Sequence, residues 1–356
     1  MANVTIEELL QVLVNNGGSD LHLSAGTPPK IRVDGQLLNT EYEPLSPEST
    51  KSLIYSFLTG DQIARFEKEY EIDLSFGVEA MGRFRVNVFF QRGTVAAVLR
   101  IIPYTVRGFD DLGLPRAICE EIAALPRGLV LFTGATGSGK STSLAAMLDH
   151  INDQRCGHVV TIEDPIEFLH RNKNCLFNQR EVGSDTQAFK RALRSALRQD
   201  PDVVLVGEMR DMETIEAALT IAETGHLTFG TLHTSDAVQS INRVVDVFPS
   251  HQQQQVRTQL SFVIQAVFCQ QLIPMARGNG RALAMEVMIA NSAIRALIRD
   301  DKAHQIYSII QTGGKRGMRT MNHSLAELVQ QRLITTEQAL THTSDTEDLT
   351  RILGRA

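Results

Sequence analysis

An α/β fold in two domains is predicted from three features of the chain. Residues 134–141 form a complete phosphate-loop octet. Apolar strands and helices alternate from 128 to 232. Before them, residues 1–102 mix helices and short strands without that alternation. Alternating strands and helices imply a parallel sheet covered by helices. The mixed segment implies a separate α+β domain.

The N-terminal domain, 1–102, begins with a helix. Thr5 and Glu8 have capping-box spacing, and Ile6, Leu9, Leu10 and Leu13 make one apolar stripe. Asn15-Asn16-Gly17-Gly18 stops it. Strand-like segments follow at 20–24, 30–33 and 36–38, with turns at Thr27-Pro28-Pro29 and Asp34-Gly35. Ser46 and Pro47 open a helix to about Leu58, and a second covers 61–69. Segments 71–78, 83–91 and 94–102 read as antiparallel strands turning at Ala80-Met81-Gly82 and Arg92-Gly93. Residues 103–126, with Pro103, Pro115 and Pro126, read as an interdomain linker carrying a short helix near 115–124. The phosphate-loop core spans 127–290, with elements at 128–133, 141–152, 158–163, 185–199, 202–207, 211–223 and 227–232. Residues 291–356 form a helical region with segments near 292–300, 302–311, 320–332 and 335–341.

Composition narrows the class. With 43% hydrophobic and 21% charged residues among 356, the chain is an ordinary globular protein. A net charge of −6 argues against a general nucleic-acid coat. Lys190, Arg191, Arg194 and Arg198 make one helix side basic, which reads as a solvated face or a contact with an acidic neighbouring subunit. No apolar run reaches the ~18 residues of a membrane span, and the acidic N-terminus does not look like a signal peptide. A cytoplasmic protein is expected. Cys119, Cys156, Cys175 and Cys269 form no C-x-x-C pair, so buried reduced thiols are expected rather than a zinc module.

The octet is Gly134-Ala135-Thr136-Gly137-Ser138-Gly139-Lys140-Ser141, followed by Thr142. Its glycines allow successive N–H groups to curl around phosphate oxygens. Lys140 reaches the β- and γ-phosphates, and the Ser141 hydroxyl binds Mg²⁺. The helix after it turns its N-terminus to the anion. Val159-Val-Thr-Ile-Glu-Asp-Pro165 and Asp202-Val-Val-Leu-Val-Gly-Glu208 are apolar strands ending in carboxylates, at the edge where ligands bind in such sheets. Glu163 and Glu208 are both candidates to position water and Mg²⁺. Asp211 fits a cap for the following helix. His226 and His233 flank a further strand and, on residue chemistry alone, are as easily structural as catalytic. Seven apart along a strand, they point to opposite faces, which argues against a shared metal.

Phosphate loop, Ile-Glu-Asp-Pro, Val-Gly-Glu and Thr-Gly-His…Thr-Leu-His-Thr, in this order, resemble the secretion and type IV pilus motor ATPases. The whole chain resembles their PilT-like retraction branch, from Ser19-Asp-Leu-His-Leu23 through Gly82-Arg-Phe-Arg-Val-Asn87 to Ala293-Ile-Arg-Ala-Leu-Ile-Arg-Asp300. The last stretch departs from the family pattern at Ala296 and Asp300. The resemblance implies a PAS-like N-terminal domain, a RecA-like P-loop ATPase domain and a C-terminal helical extension. It implies a homohexamer that hydrolyses ATP with Mg²⁺, nucleotide held between the domains, and pilus retraction (pilin disassembly, twitching motility) through an inner-membrane platform protein. An accessory retraction ATPase is a further implied partner, and no nucleic acid is expected. The location implied is cytoplasmic and peripheral at the inner membrane. Among residues, the resemblance assigns Glu163 to the attacking water, Glu208 to Mg²⁺ through water, and His226 and His233 to sensing nucleotide state. Arg85 and Arg100 are the nearest matches for arginines that meet the γ-phosphate, with Arg83 the alternative if the register shifts.

Overall fold

The structure, a computed structural model, describes residues 4–33, 35–78, 81–102, 105–277 and 280–354. Asp34, Ala80 and Pro103, placed above at two turns and at the start of the linker, lie outside the described residues. The chain divides into two units, Met1–Thr105 with Glu167–Leu169, and Val106–Ile166 with His170–Ala356.

The first unit is an antiparallel sheet of β1 (Asp20–Leu23), β2 (Lys30–Val33), β3 (Gln36–Asn39), β4 (Glu71–Val78), β5 (Gly82–Gln91) and β6 (Thr94–Ile102). Their order is β3-β2-β1-β6-β5-β4. Side chains alternate across a strand, so Phe84, Val86 and Val88 of β5 are buried while Arg83, Arg85 and Asn87 stand on the opposite face. Helices Ile6–Asn15, Pro47–Tyr55 and Gly60–Glu69 supply the rest of this core through Leu9, Leu13, Ile54 and Phe66. The capping box is formed: Glu8 N–H donates to Thr5 Oγ1 at 3.2 Å, and Thr5 N–H to Glu8 Oε2 at 2.9 Å.

The second unit is built on β7 (Gly128–Thr133), β8 (His158–Glu163), β9 (Leu176–Glu181), β10 (Val203–Val206), β11 (Leu227–Leu232), β12 (Ile264–Pro274) and β13 (Arg281–Ile289). The order is β13-β12-β7-β11-β10-β8-β9. All six residues of β7 are buried, as in a parallel strand covered on both faces. One cover layer includes helices Met212–Glu223 and Ala237–Asp246, and the other includes helix Lys140–Gln154.

One expectation changes and two are extended. The stretch 103–126 is not a free linker. From Val106 it belongs to the second unit, with helices Phe109–Leu112 and Arg116–Ala123. Phe109, Leu114, Cys119 and Ile122 are buried against Phe132 and Met147, so apolar burial overrides the proline signal. The sheet is not wholly parallel, because β12 and β13 form an antiparallel hairpin, and β9 adds an edge strand that the alternation did not reveal. The region after 291 is helical, with helices Ser292–Arg299, Ile306–Thr312, Met321–Gln330, Thr336–His342 and Thr346–Leu353. It is continuous with the second unit: Ile294, Ile298 and Ile306 enter its main core, and Leu325 and Leu349 pack with Ile273 and Ala284 of the hairpin.

Candidate active site

The carboxyl ends of β7, β8, β10 and β11 lie along one edge of the sheet, because these strands are parallel neighbours in register. After Thr133 the chain turns through the phosphate loop into helix Lys140–Gln154. Gly134 has φ 138°, and a Cβ there would stand 2.4 Å from the Gln270 carbonyl oxygen of β12. Only glycine lets this loop lie against the hairpin. Lys140 Nζ donates to the carbonyls of Gly134 (2.8 Å) and Ala135 (3.0 Å), holding the loop in a curl. The first N–H groups of the helix have no intrahelical partner and make an anion site. Ser141 and Thr142 sit in that first turn. This arrangement fits a nucleotide triphosphate tail.

Glu163 ends β8, and Glu208 follows β10 by two residues. The two strand tips approach closely at Gly207, whose N–H donates to Ile162 O at 2.8 Å. Glu163 Oε1 accepts from Thr161 Oγ1 at 2.7 Å and from Gln179 Nε2 at 3.3 Å. Glu208 Oε1 meets Arg210 Nε at 2.6 Å and His233 Nε2 at 3.0 Å. The Arg210 hydrogen bond, against partial burial, holds the Glu208 carboxyl below its ordinary range, and His233 adds to the effect. Glu208 is thus tied to a guanidinium, while Glu163 accepts from a hydroxyl and an amide.

The structure brings His233 into this cluster but not His226. His226 precedes the first residue of β11 and His233 follows its last, so they lie at opposite ends of the strand. At about 3.3 Å per residue, that separates them by roughly 20 Å. His226 Nδ1 lies 2.9 Å from Ile221 O. A carbonyl only accepts, so Nδ1 carries the proton, and the ring ties helix Met212–Glu223 to the start of β11. His226 thus stands at the end of β11 away from Glu163 and Glu208.

In the first unit, Arg85 and Arg100 are direct cross-strand partners on β5 and β6. Arg100 donates to Asp20 Oδ1 at 2.7 Å while remaining largely exposed. Arg85 is exposed beside it, and Arg83 donates to Ser75 Oγ at 2.6 Å. Arg85 and Arg100 thus stand side by side on one face of the sheet.

Arg210, Thr161 and Gln179 were not singled out from the sequence. Arg210 stands two residues after Glu208 and was visible in Gly-Glu-Met-Arg. Gln179 carried no local signal, because Asn-Gln-Arg-Glu is too polar to read as a strand.

Fold and site together define a P-loop ATPase of the RecA-like kind. Comparison with known proteins makes this specific. The profile of the family described as Type II/IV secretion system protein matches residues 2–341. The type IV pilus retraction ATPase PilT of Pseudomonas aeruginosa is 53% identical over 94% of this chain and 96% of its own length. A twitching motility protein of Neisseria gonorrhoeae is 48% identical over 90% of this chain and 86% of its own. A crystal structure of the pilus retraction motor PilT with bound ADP matches with a TM-score of 0.92 and 48% identity, covering 98% of this chain and 99% of that one. The chain belongs to the type II/IV secretion system protein family, in its retraction ATPase branch, and is an ATP-hydrolysing enzyme.

Proposed function

We propose that the chain powers type IV pilus retraction as a hexameric ring. The observation that carries the reading is the single sheet edge on which the phosphate loop, Glu163, Glu208 and His233 stand together. The names of the retraction and twitching relatives supply the kind of work.

In this reading the loop from Gly134 to Thr142 cradles ATP, and Lys140 meets the β- and γ-phosphates. Ser141 supplies a hydroxyl ligand for Mg²⁺, and Glu208 supports the ion through water. Among the described residues no cluster of His, Cys, Asp or Glu forms a dedicated metal cage, which suits an ion held mainly by phosphates and water. Mg²⁺ would neutralise charge on the phosphate oxygens. Glu163 is the base. A carboxylate held on Arg210 is a poor proton acceptor, and Glu163 is oriented by Thr161 and Gln179. It orients water for in-line attack on the γ-phosphorus as the bond to the bridging oxygen breaks. His233, on Glu208, reports whether that carboxylate is engaged. Arg85 and Arg100 would neutralise the γ-oxygens in the transition state, giving a charge-dependent clamp that opens after hydrolysis.

Among the described residues no helix is long and apolar enough to cross a membrane. In this reading the work passes through an inner-membrane platform protein, with an accessory retraction ATPase as a second partner and the chain peripheral at the cytoplasmic side.

The test compares ATP turnover with oligomeric mass, wild type beside Glu163→Gln, with and without DNA. Turnover confined to the hexamer, lost in the variant and indifferent to DNA is the expected result. Stimulation of a monomer by DNA would replace the reading with a nucleic-acid translocase. Bound nucleotide without turnover would make the chain a regulatory scaffold.

A further inference from the structure

Strand β9 lies at the sheet edge beside β8, with Thr161 opposite Gln179 and Glu163 opposite Glu181. Residues two apart share a face, so these four side chains form one row and its neighbour on the same side of the sheet. The contacts follow from that register. Gln179 Nε2 donates to Glu163 Oε1 at 3.3 Å, while Gln179 Oε1 accepts the His170 N–H at 2.8 Å. Glu181, 4% exposed, accepts the Ile166 N–H on Oε2 at 3.1 Å and the Ser184 hydroxyl on Oε1 at 3.2 Å. The two β9 side chains thus hold both ends of the segment between Ile166 and His170, which follows the Glu163-Asp164-Pro165 turn.

We propose that Gln179 is a positioning residue for Glu163. The inference rests on the reading of Glu163 as the hydrolytic base. An amide side chain could present either end to the carboxylate. The His170 N–H can only donate, so it takes the amide oxygen and turns the NH₂ group toward Glu163. Thr161, fully buried, places a hydroxyl on the same carboxylate oxygen at 2.7 Å. Two donors converging on Oε1 from adjacent strands fix the carboxylate's rotation about its last torsion, which is otherwise soft. A base held within a narrow angular range presents its oxygen to the attacking water in a reactive geometry before ATP arrives. Gln179 acts through Glu163, so its contribution falls on turnover and not on nucleotide affinity.

The test is a double-mutant cycle on the full-length protein. Gln179→Glu keeps the length of the side chain and its acceptor for His170 but loses the donor to Glu163. It should lower kcat on the order of 100-fold, the scale of a misplaced catalytic group, with KM for ATP changed less than about threefold. In a Glu163→Gln background the same change should cause no further loss, because the group it serves is gone. If Gln179→Glu does not fold, Thr161→Val, which keeps the shape and removes the other donor, takes its place in the cycle with the same expectation. Wild-type kcat in the single variant, or losses that multiply in the double variant, would overturn the proposal. Wild-type kcat in Glu163→Gln alone would instead remove Glu163 as the base, a separate outcome visible before the cycle is read.

Discussion

At the residue scale, the chemistry of the site turns on the unequal surroundings of two carboxylates. Glu208 shares one oxygen between Arg210 and His233, and Arg210 is the larger cause of its lowered proton affinity. A depressed carboxyl is ionised down to lower pH, so its favourable contacts persist above the ordinary value of 4.5 and fail as pH falls through the depressed one. Arg210→Ala should therefore move the titration of Glu208 back up toward its ordinary value. In a pH profile of kcat, the acid limb of the variant should lie at higher pH than that of wild type. Superimposable profiles would mean that the charge of Glu208 does not matter for turnover. The sequence showed both glutamates at strand ends and Arg210 beside one of them, but the partners Gln179 and His233 come from 16 and 25 positions away and were not legible.

At the scale of elements, the distance between the two glutamates depends on how near the tips of β8 and β10 can come. Gly207 sets that approach. A Cβ there would lie 3.0 Å from Ile162 O and 3.2 Å from Glu163 Cα. Both are backbone atoms of β8, which cannot rotate aside, so the strand tip must shift by tenths of an ångström. Gly207→Ala should thus reduce kcat by roughly tenfold, given the sensitivity of positioned groups, while binding of a non-hydrolysable ATP analogue is kept. Equal loss of binding and turnover would show instead that the phosphate loop had been disturbed. Helix boundaries were largely readable because caps are local. The Thr5 and Glu8 box formed as the spacing predicts, and Asp211 Oδ1 accepts the Thr214 N–H at 2.8 Å, starting helix Met212–Glu223. Strands β9, β12 and β13 were not readable as such. Their signal is the neighbour each one pairs with, and that neighbour is distant in sequence.

At the scale of the molecule, two titratable groups of the second unit, half-buried His170 and buried Glu286, oppose each other in pH. Burial pushes His170 down to about 4, and its ring stacks on Phe177 at 4.7 Å. Burial pushes Glu286 up to about 7, where one oxygen accepts the Ala237 N–H at 2.9 Å. Between pH 4 and 6.5 the unfolded chain binds the His170 proton more tightly, so this group makes stability rise with pH. Between pH 4.5 and 7 the folded chain binds the Glu286 proton more tightly, so that group makes stability fall. Each effect is on the order of 3 kcal/mol, and the two nearly cancel. His170→Phe keeps the stack and removes the rising arm. Its stability to guanidinium should then decline more steeply from pH 4.5 to 7 than that of wild type. A level profile in the variant would show that Glu286 is not buried as a neutral acid.

The amino-acid sequence by itself determined the chemical inventory: the phosphate loop, the carboxylates at strand tips, the capped helices and the alternation that makes a parallel sheet. Those features are written in residues a few positions apart, where backbone conformation and side-chain period are set locally. Tertiary structure decided which of that inventory works together. The order β11-β10-β8-β9 brings His233 to Glu208 and Gln179 to Glu163, and the direction of β11 carries His226 away. Burial of Phe109, Leu114 and Ile122 made core out of an apparent linker. Strand order and burial are settled by packing among distant segments, so no window along the chain contains them.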